Sequence, residues 1–194
     1  MGNDSKFLRG VYMITFRNIV EEDLNKIMEW RMRPDITRYM NTDPHLTLEG
    51  QKRWLKQIEK DESVRYWMIV IDGCDAGVLN LMDLDINEGK TFWGYYIGEK
   101  SKRSFDNAIN IELNLYKYCF EILGLKTVKG EVFSENKATI KLHKICGCKV
   151  DEEKKDYIEK NGILYDVTFL SIDNIKWEQV KNSIPFENIN FKRG

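Results

Sequence analysis

The sequence predicts a single α/β domain, and three observations predict it. Two dipeptides with hairpin chemistry, Asp72-Gly73 and Asn161-Gly162, each lie between apolar runs, as antiparallel strands joined by a turn require. Other stretches repeat apolar residues at helical spacing, and some of these open on residues able to cap free N–H groups. The third observation is residues 125–149, which read as strand, tight turn, helix and short strand in succession. There Val128 and Val132 alternate with Glu131 and Phe133, and Ser134-Glu135-Asn136 then starts a helix carrying Ile140, Leu142 and Ile145.

Composition bounds the reading. A chain of 194 residues with 42% apolar content suffices for one full core. A net charge of −1 gives no footing for nucleic acid or an anionic membrane surface, and no apolar run reaches membrane-spanning length. Cys74, Cys119, Cys146 and Cys148 have neither zinc-site nor disulfide spacing, so with no signal peptide in view a cytoplasmic protein without a metal is expected.

In chain order, residues 1–10 are expected to be a flexible tail. Residues 11–19 alternate as a first strand, with Tyr12, Ile14 and Phe16 on one face. Glu21, Glu22 and Asp23 put negative charge in the first turn of a helix that carries Leu24, Ile27, Met28 and Arg31. Pro34 breaks it, because the residue before a proline disfavours helix, and residues 35–40 are expected to form a short second one. Residues 47–60 read as a third, with Thr47 as cap and Leu48, Trp54, Leu55 and Ile58 as its buried stripe.

Runs 66–71 and 77–84 flank Asp72-Gly73 with a loop longer than two residues, and Asn87-Glu88-Gly89 turns into 91–97 to complete an antiparallel meander. A basic loop over 98–106 leads to a long helix over 107–123, which Gly124 ends in the C′ position. Runs 150–160 and 163–172 form the second hairpin, and a short helix is expected around Trp177. The domain is read as 11–172, with 173–194 as a C-terminal extension.

The pattern Asn136-x-x-Thr139-x-x-x-His143-x-x-x-Gly147-Cys148 resembles the Asn-x-x-Ala-x-x-x-Tyr-x-x-x-Gly-Phe signature of the GNAT superfamily of acetyl-CoA-dependent acyltransferases. Thr139, His143 and Cys148 depart from it. The element order over 11–172 is also that of the family. The resemblance implies the GNAT fold, a mixed, mostly antiparallel central sheet flanked by helices, with acetyl-CoA as cosubstrate.

In that family a loop of the form Arg/Gln-x-x-Gly-x-Gly/Ala cradles the pyrophosphate at a helix N-terminus. The equivalent here is Arg103-Ser104-Phe105-Asp106-Asn107-Ala108, where Asp106 replaces the first Gly, as an N-cap or as a competitor for the phosphate's donors. The thioester slot of the family lies between the fourth and fifth strands, which splay after a bulge. Tyr96, Ile97 and Gly98 therefore join the loop and Asn136 as implied cofactor-binding residues.

Glu131 is the expected base or amine-positioning group, since a carboxylate in an apolar strand is costly unless paired or functional; strand alternation also allows it to face solvent. His143 stands where family members have the Tyr that protonates the departing thiolate, and an imidazole can do so near neutral pH. His45, in a Pro44-led loop, is expected to be structural.

The first half narrows the acceptor. Glu29-Trp30-Arg31-x-x-Pro34-Asp35-Ile36, with Tyr39-Met40 and Gln51-x-x-Trp54-Leu55, resembles the N-acetyltransferases acting on nucleotide-linked amino sugars in pseudaminic acid biosynthesis. That implies an acceptor site with Trp30, Arg31 and Tyr95, the Arg being suited to a nucleotide diphosphate. Trp30 equally fits a core position. Peptide or ribosomal-protein Nα-acetyltransferases, aminoglycoside acetyltransferases and a GNAT-shaped binding module without catalysis stay open. The implied partner is a small-molecule amine, with no nucleic acid and no membrane, and a homodimer is allowed.

Overall fold

The period-two apolar runs become one seven-stranded sheet in the order β1-β2-β3-β4-β5-β7-β6. The computed structural model describes residues 13–189 and Phe191, so Tyr12 and the expected tail lie outside it. The strands are β1 (Ile14–Asn18), β2 (Arg65–Ile71), β3 (Cys74–Asp85), β4 (Lys90–Ile97), β5 (Thr127–Phe133), β6 (Lys149–Lys160) and β7 (Ile163–Asp173). Every neighbouring pair is antiparallel except β4 with β5.

Both hairpins form where the turn residues place them. Asp72 and Gly73 have φ of 52° and 75°, and Asn161 and Gly162 have 53° and 75°, the positive pair that a two-residue type I′ turn needs. The first loop is two residues long, shorter than expected, because β3 begins at Cys74 and pairs with Ile71. A bulge opposite Ile69 and Val70 adds a residue to β3, and this broken alternation hides its start from a period-two reading.

A 3-10 turn, Glu21–Asp23, leads into α1 (Leu24–Arg31). Pro34 opens α2 (Pro34–Thr37), which is shorter than the expected 35–40; its fixed φ and missing N–H suit that first position. Thr47 caps α3 (Leu48–Ile58) by accepting from the Gly50 amide at 3.2 Å. α4 (Phe105–Lys117) continues through a π turn, Tyr118–Ile122, to Gly124 at φ 68°. It starts two residues earlier than expected because Ser104 caps it, its hydroxyl accepting from the Asn107 amide at 3.1 Å. Asn136 caps α5 (Lys137–Ile145) and Asp173 caps α6 (Asn174–Val180).

Apolar stripes bury on both faces of the sheet. Ile111, Leu115 and Tyr116 of α4 and Trp177 of α6 pack with Ile69, Leu79 and Val128 in the larger core. Leu24, Ile27 and Trp30 of α1 and Leu55 of α3 pack with Met68 and Val78 in the smaller one. The segment read as an extension from 173 onward belongs to the larger core: Trp177 is 1% exposed. Two side-chain amides of α4 hold the chain beyond α6 as a strand would. Asn114 Oδ1 accepts from the Ile189 amide at 2.8 Å, its Nδ2 donates to the Glu187 carbonyl at 2.8 Å, and Asn110 Oδ1 accepts from the Glu187 amide at 2.9 Å.

One irregularity makes the site. β4 and β5 pair only from Lys90↔Thr127 to Phe92↔Lys129 and then part. Each follows its other neighbour: β4 stays in register with β3 through Ile97, and β5 pairs with β7 along its whole length. The bulge expected at this splay is on β3, between Met82 and Asp85, where Asp83 has φ of 48°. Beyond Phe92, alternate N–H and C=O groups of β4 therefore face an open slot rather than a ladder.

Candidate active site

Two cavities meet at that splay. One, about 550 Å³, runs from the slot to the start of α4 and is lined by Ile97, Arg103, Ser104, Phe105, Ala108, Asn136, Thr139, Leu142 and His143 among others. The second, about 490 Å³, lies toward α1, α3 and the loop after α2, and includes Arg31, Asn41, Gln51, Trp54, Tyr66 and Asn80. They share Tyr39, Met40, Trp93, Gly94, Tyr95, Tyr96 and Glu131, so a group in one can reach a group in the other across β4.

The α4 end of the first cavity has the form of an anion cradle. Because the Ser104 hydroxyl takes only the Asn107 amide, the amides of Phe105 and Asp106 meet no acceptor among the described residues. They open a thirteen-residue helix, whose N-terminal dipole favours an anion. Asp106 is neither of the things expected of it. It is not the cap, and its exposed side chain lines neither cavity.

Several residues around the loop hold the scaffold, and of these Arg103 also lines the first cavity. Arg103 donates from Nε to the Ile97 carbonyl at 2.8 Å and from Nη2 to Asp35 at 2.7 Å, so its charge is spent on the end of β4. Arg33 donates to the Gly98 carbonyl at 2.7 Å and pairs with the same Asp35, whose carboxyl the Arg33 and Arg103 hydrogen bonds hold well below the usual range. Asn107 is buried and donates to the Lys102 carbonyl at 2.9 Å. Gly98 and Asn107 thus line neither cavity, contrary to expectation. Tyr96 lines both; its ring meets Trp30 of α1 edge-on at 6.3 Å, and its hydroxyl is enclosed without a partner among the described residues.

Of the residues expected to form an acceptor site, Arg31 lines the second cavity and its guanidinium lies against Met40 Sδ, and Tyr95 lines both cavities. Trp30 does not: it is 1% exposed, donates from Nε1 to Glu99 at 3.1 Å and belongs to the core, where its size and position in α1 put it.

Glu131 is exposed on the shared wall and accepts from Asn41 Nδ2 at 2.8 Å. Asn41 escaped the sequence reading because a lone Asn in a loop carries no signal. Its loop is tied from far along the chain. The buried Lys160, at the tip of the β6–β7 hairpin, donates to the Thr37 carbonyl at 2.7 Å and pairs with Asp43 at 2.9 Å, and Asn161 donates to Asp43 at 2.6 Å.

His143 is buried in the wall of the first cavity, edge-on to Trp93 at 4.8 Å. Its Nδ1 lies 2.9 Å from Oε2 of Glu112, which is fully buried on α4. Glu112 was also missed. The one available signal is the run 111–116, which is apolar on more than one helical face; every residue of it is buried, so Glu112 has no solvent side to occupy.

A family model for the acetyltransferase (GNAT) domain matches residues 13–149. Among curated proteins, the chain is 28% identical over 149 residues to an acetyltransferase, PseH, of Campylobacter jejuni, covering 75% of this chain and 90% of that one. It is 27% identical over 167 residues to the uncharacterized N-acetyltransferase p20 of Bacillus licheniformis, covering 82% and 92%. Among solved structures, the spermidine N-acetyltransferase from Vibrio cholerae in complex with CoA and spermine superposes with a TM-score of 0.79 at 19% identity, covering 85% of this chain and 98% of that one. With strands four and five splayed beside a capped helix N-terminus, and with the family model covering most of its length, the chain belongs to the GNAT family and is an N-acetyltransferase.

Proposed function

We propose that the protein transfers acetyl from acetyl-CoA to the amine of a nucleotide-linked amino sugar. The observation that carries the acceptor class is the lining of the second cavity: Arg31 and Glu131 are its only charged side chains among the described residues, amid the rings of Tyr39, Trp54, Tyr66, Trp93, Tyr95 and Tyr96. Aromatic faces suit a sugar or base, one guanidinium suits a diphosphate and one carboxylate suits an ammonium. A polyamine carries several positive charges, and a cavity with one carboxylate beside an arginine complements it poorly. The likeness to PseH, an acetyltransferase, supports the acetyl transfer itself.

The first cavity fits acetyl-CoA. Unpartnered amides at α4 suit its pyrophosphate, the open edge of β4 suits its amide-bearing arm, and Asn136 and His143 stand farther along the same cavity. Acetyl-CoA supplies the activated acyl group when bound. Glu131, reached from both cavities, positions the amine and takes its proton directly or through water, and main-chain N–H of β4 receives the developing oxyanion. His143 gives a proton to the leaving sulfur. Of the two protons an ammonium loses in becoming an amide, one passes to solvent and the other replaces the one His143 gave.

The test is kcat/KM with acetyl-CoA for a nucleotide-linked amino sugar, spermidine, an aminoglycoside and a peptide amine. The sugar nucleotide is expected to lead by at least about tenfold, and a lead by spermidine would overturn the acceptor assignment.

A further inference from the structure

The signature's Tyr and Phe positions, occupied here by His143 and Cys148, are five residues apart in sequence and lie at the two ends of one buried hydrogen-bond chain. Tyr116 lies 2.6 Å from Glu112 Oε1 and 3.1 Å from Cys148 Sγ. Glu112 Oε2 lies 2.9 Å from His143 Nδ1. With Glu112 accepting at both oxygens, the links run one way. The Tyr116 hydroxyl donates to Oε1, and its oxygen then accepts from the Cys148 thiol. Burial pushes that thiol up to about 12, so it keeps the proton it donates. Oε2 then accepts from Nδ1–H, and the Cys146 thiol hydrogen-bonds the same carboxylate.

We propose that Glu112 is the positioning residue of the reaction, holding His143 as the Nδ1–H tautomer with Nε2 toward the acetyl-CoA cavity, and that Tyr116 and Cys148 orient Glu112 from behind. This rests on the acetyl-transfer reading above. Nε2 has no hydrogen bond among the described residues and is not sealed off as Trp93 Nε1 and the Tyr96 hydroxyl are, so it opens on the cavity that His143 lines. His143 is the only ion-pair partner of Glu112 among the described residues. The other ionisable groups around it are Tyr95 of β4, Tyr116 of α4, and Cys146 and Cys148 beyond α5, all held neutral by burial.

The substitution and the dyad belong together. A tyrosine hydroxyl rotates freely and has no tautomer to choose, whereas an imidazole delivers its proton to one point only if its other nitrogen is held. In the step itself, the proton on Nε2 of the imidazolium passes to the CoA sulfur as the carbon–sulfur bond breaks and the carbon–nitrogen bond forms. The Nδ1 proton stays on the ring, hydrogen-bonded to Glu112, and His143 is recharged by the proton that the amine releases.

The experiment is nitrogen-15 NMR of the full chain labelled at histidine, whose two histidines give His143 and, as an internal comparison, His45. Neutral His143 is expected to carry its hydrogen on Nδ1 with a bare Nε2, and hydrogen on Nε2 would overturn the proposal. Kinetics give the second arm. Glu112→Gln is expected to lower kcat by about 10- to 100-fold without raising the KM for acetyl-CoA. In the His143→Asn background the same substitution is expected to change kcat no further, whereas an equal loss in both backgrounds would leave Glu112 a packing residue and overturn the assignment. An unchanged kcat in His143→Asn alone would sink the proton-donor reading of His143 itself. Should Glu112→Gln fail to fold, the NMR arm on the unaltered chain still decides.

Discussion

Gly98→Ala probes how the open end of β4 is held. A Cβ built on Gly98 would lie 2.2 Å from Cδ2 of Trp30 and 2.5 Å from Cγ and Cε2. Carbon atoms pack best at about 3.5–4.0 Å, so the indole would have to retreat by more than about 1 Å. It has little room to do so. Trp30 is 1% exposed, donates to Glu99 at 3.1 Å and meets Tyr96 edge-on. Overpacking of this kind costs about 1–3 kcal/mol. At about 2–4 °C per kcal/mol for a domain of this size, thermal unfolding followed by circular dichroism should show Tm falling by about 2–12 °C. The perturbation should also reach the cofactor side, because the Gly98 carbonyl accepts from Arg33 at 2.7 Å and from Arg103 at 3.4 Å, so the KM for acetyl-CoA should rise. A variant with unchanged Tm and unchanged KM would refute both the packing and the link from β4 to the loop before α4.

Three further outcomes are expected. Arg31→Ala should raise the acceptor KM at least about tenfold, the loss of one charge-assisted contact, and leave the acetyl-CoA KM alone; steady-state kinetics with each substrate varied checks it. Lys160→Met, which keeps side-chain volume but frees the loop that Thr37 and Asp43 anchor, should likewise raise the acceptor KM and spare that of acetyl-CoA, and equal effects on both would point to general loosening. Asp23 sets a pH dependence: burial works to raise its carboxyl, but hydrogen bonds from Arg17 and the Val20 amide outweigh that and lower it. A depressed carboxyl stabilises the fold above its unfolded value near about 4 and loses that contribution as pH falls through its folded value. The Tm gap between the wild type and Asp23→Asn, measured from pH 7 to pH 3, should therefore shrink toward acid, and a constant gap would contradict the role of the pair.

What could be read from the chain follows the range of the interaction. Asp72-Gly73 and Asn161-Gly162 announce their turns because positive φ is a property of the dipeptide itself. Caps at Thr47 and Asn136 are legible for the same local reason. The start of β3 was hidden because a bulge shifts the alternation on which a strand reading depends. Asp106 misled because Ser104, two residues earlier, already supplies the cap. Arg103 and Gly98 sit in the right loop, yet their roles are set by Asp35, Arg33 and Trp30, which come from the first helices. In the site, His143 was visible through its place in the signature, whereas Glu112 lies 31 residues away and Asn41 lies 90 residues from Glu131. Those partners exist only once the sheet has formed, and no local pattern records them.

The proposed reaction requires the acetyl-CoA slot and the acceptor cavity to meet at Glu131. The most direct measurement pairs calorimetric titration of acetyl-CoA with turnover for the wild type and Glu131→Gln. Micromolar acetyl-CoA binding is expected in both proteins, with a turnover about 10²- to 10⁴-fold lower in the variant, the scale of a lost general base. Unchanged turnover would remove Glu131 from the reaction, and no binding of acetyl-CoA to the wild type would contradict the assignment of the splayed β4–β5 slot.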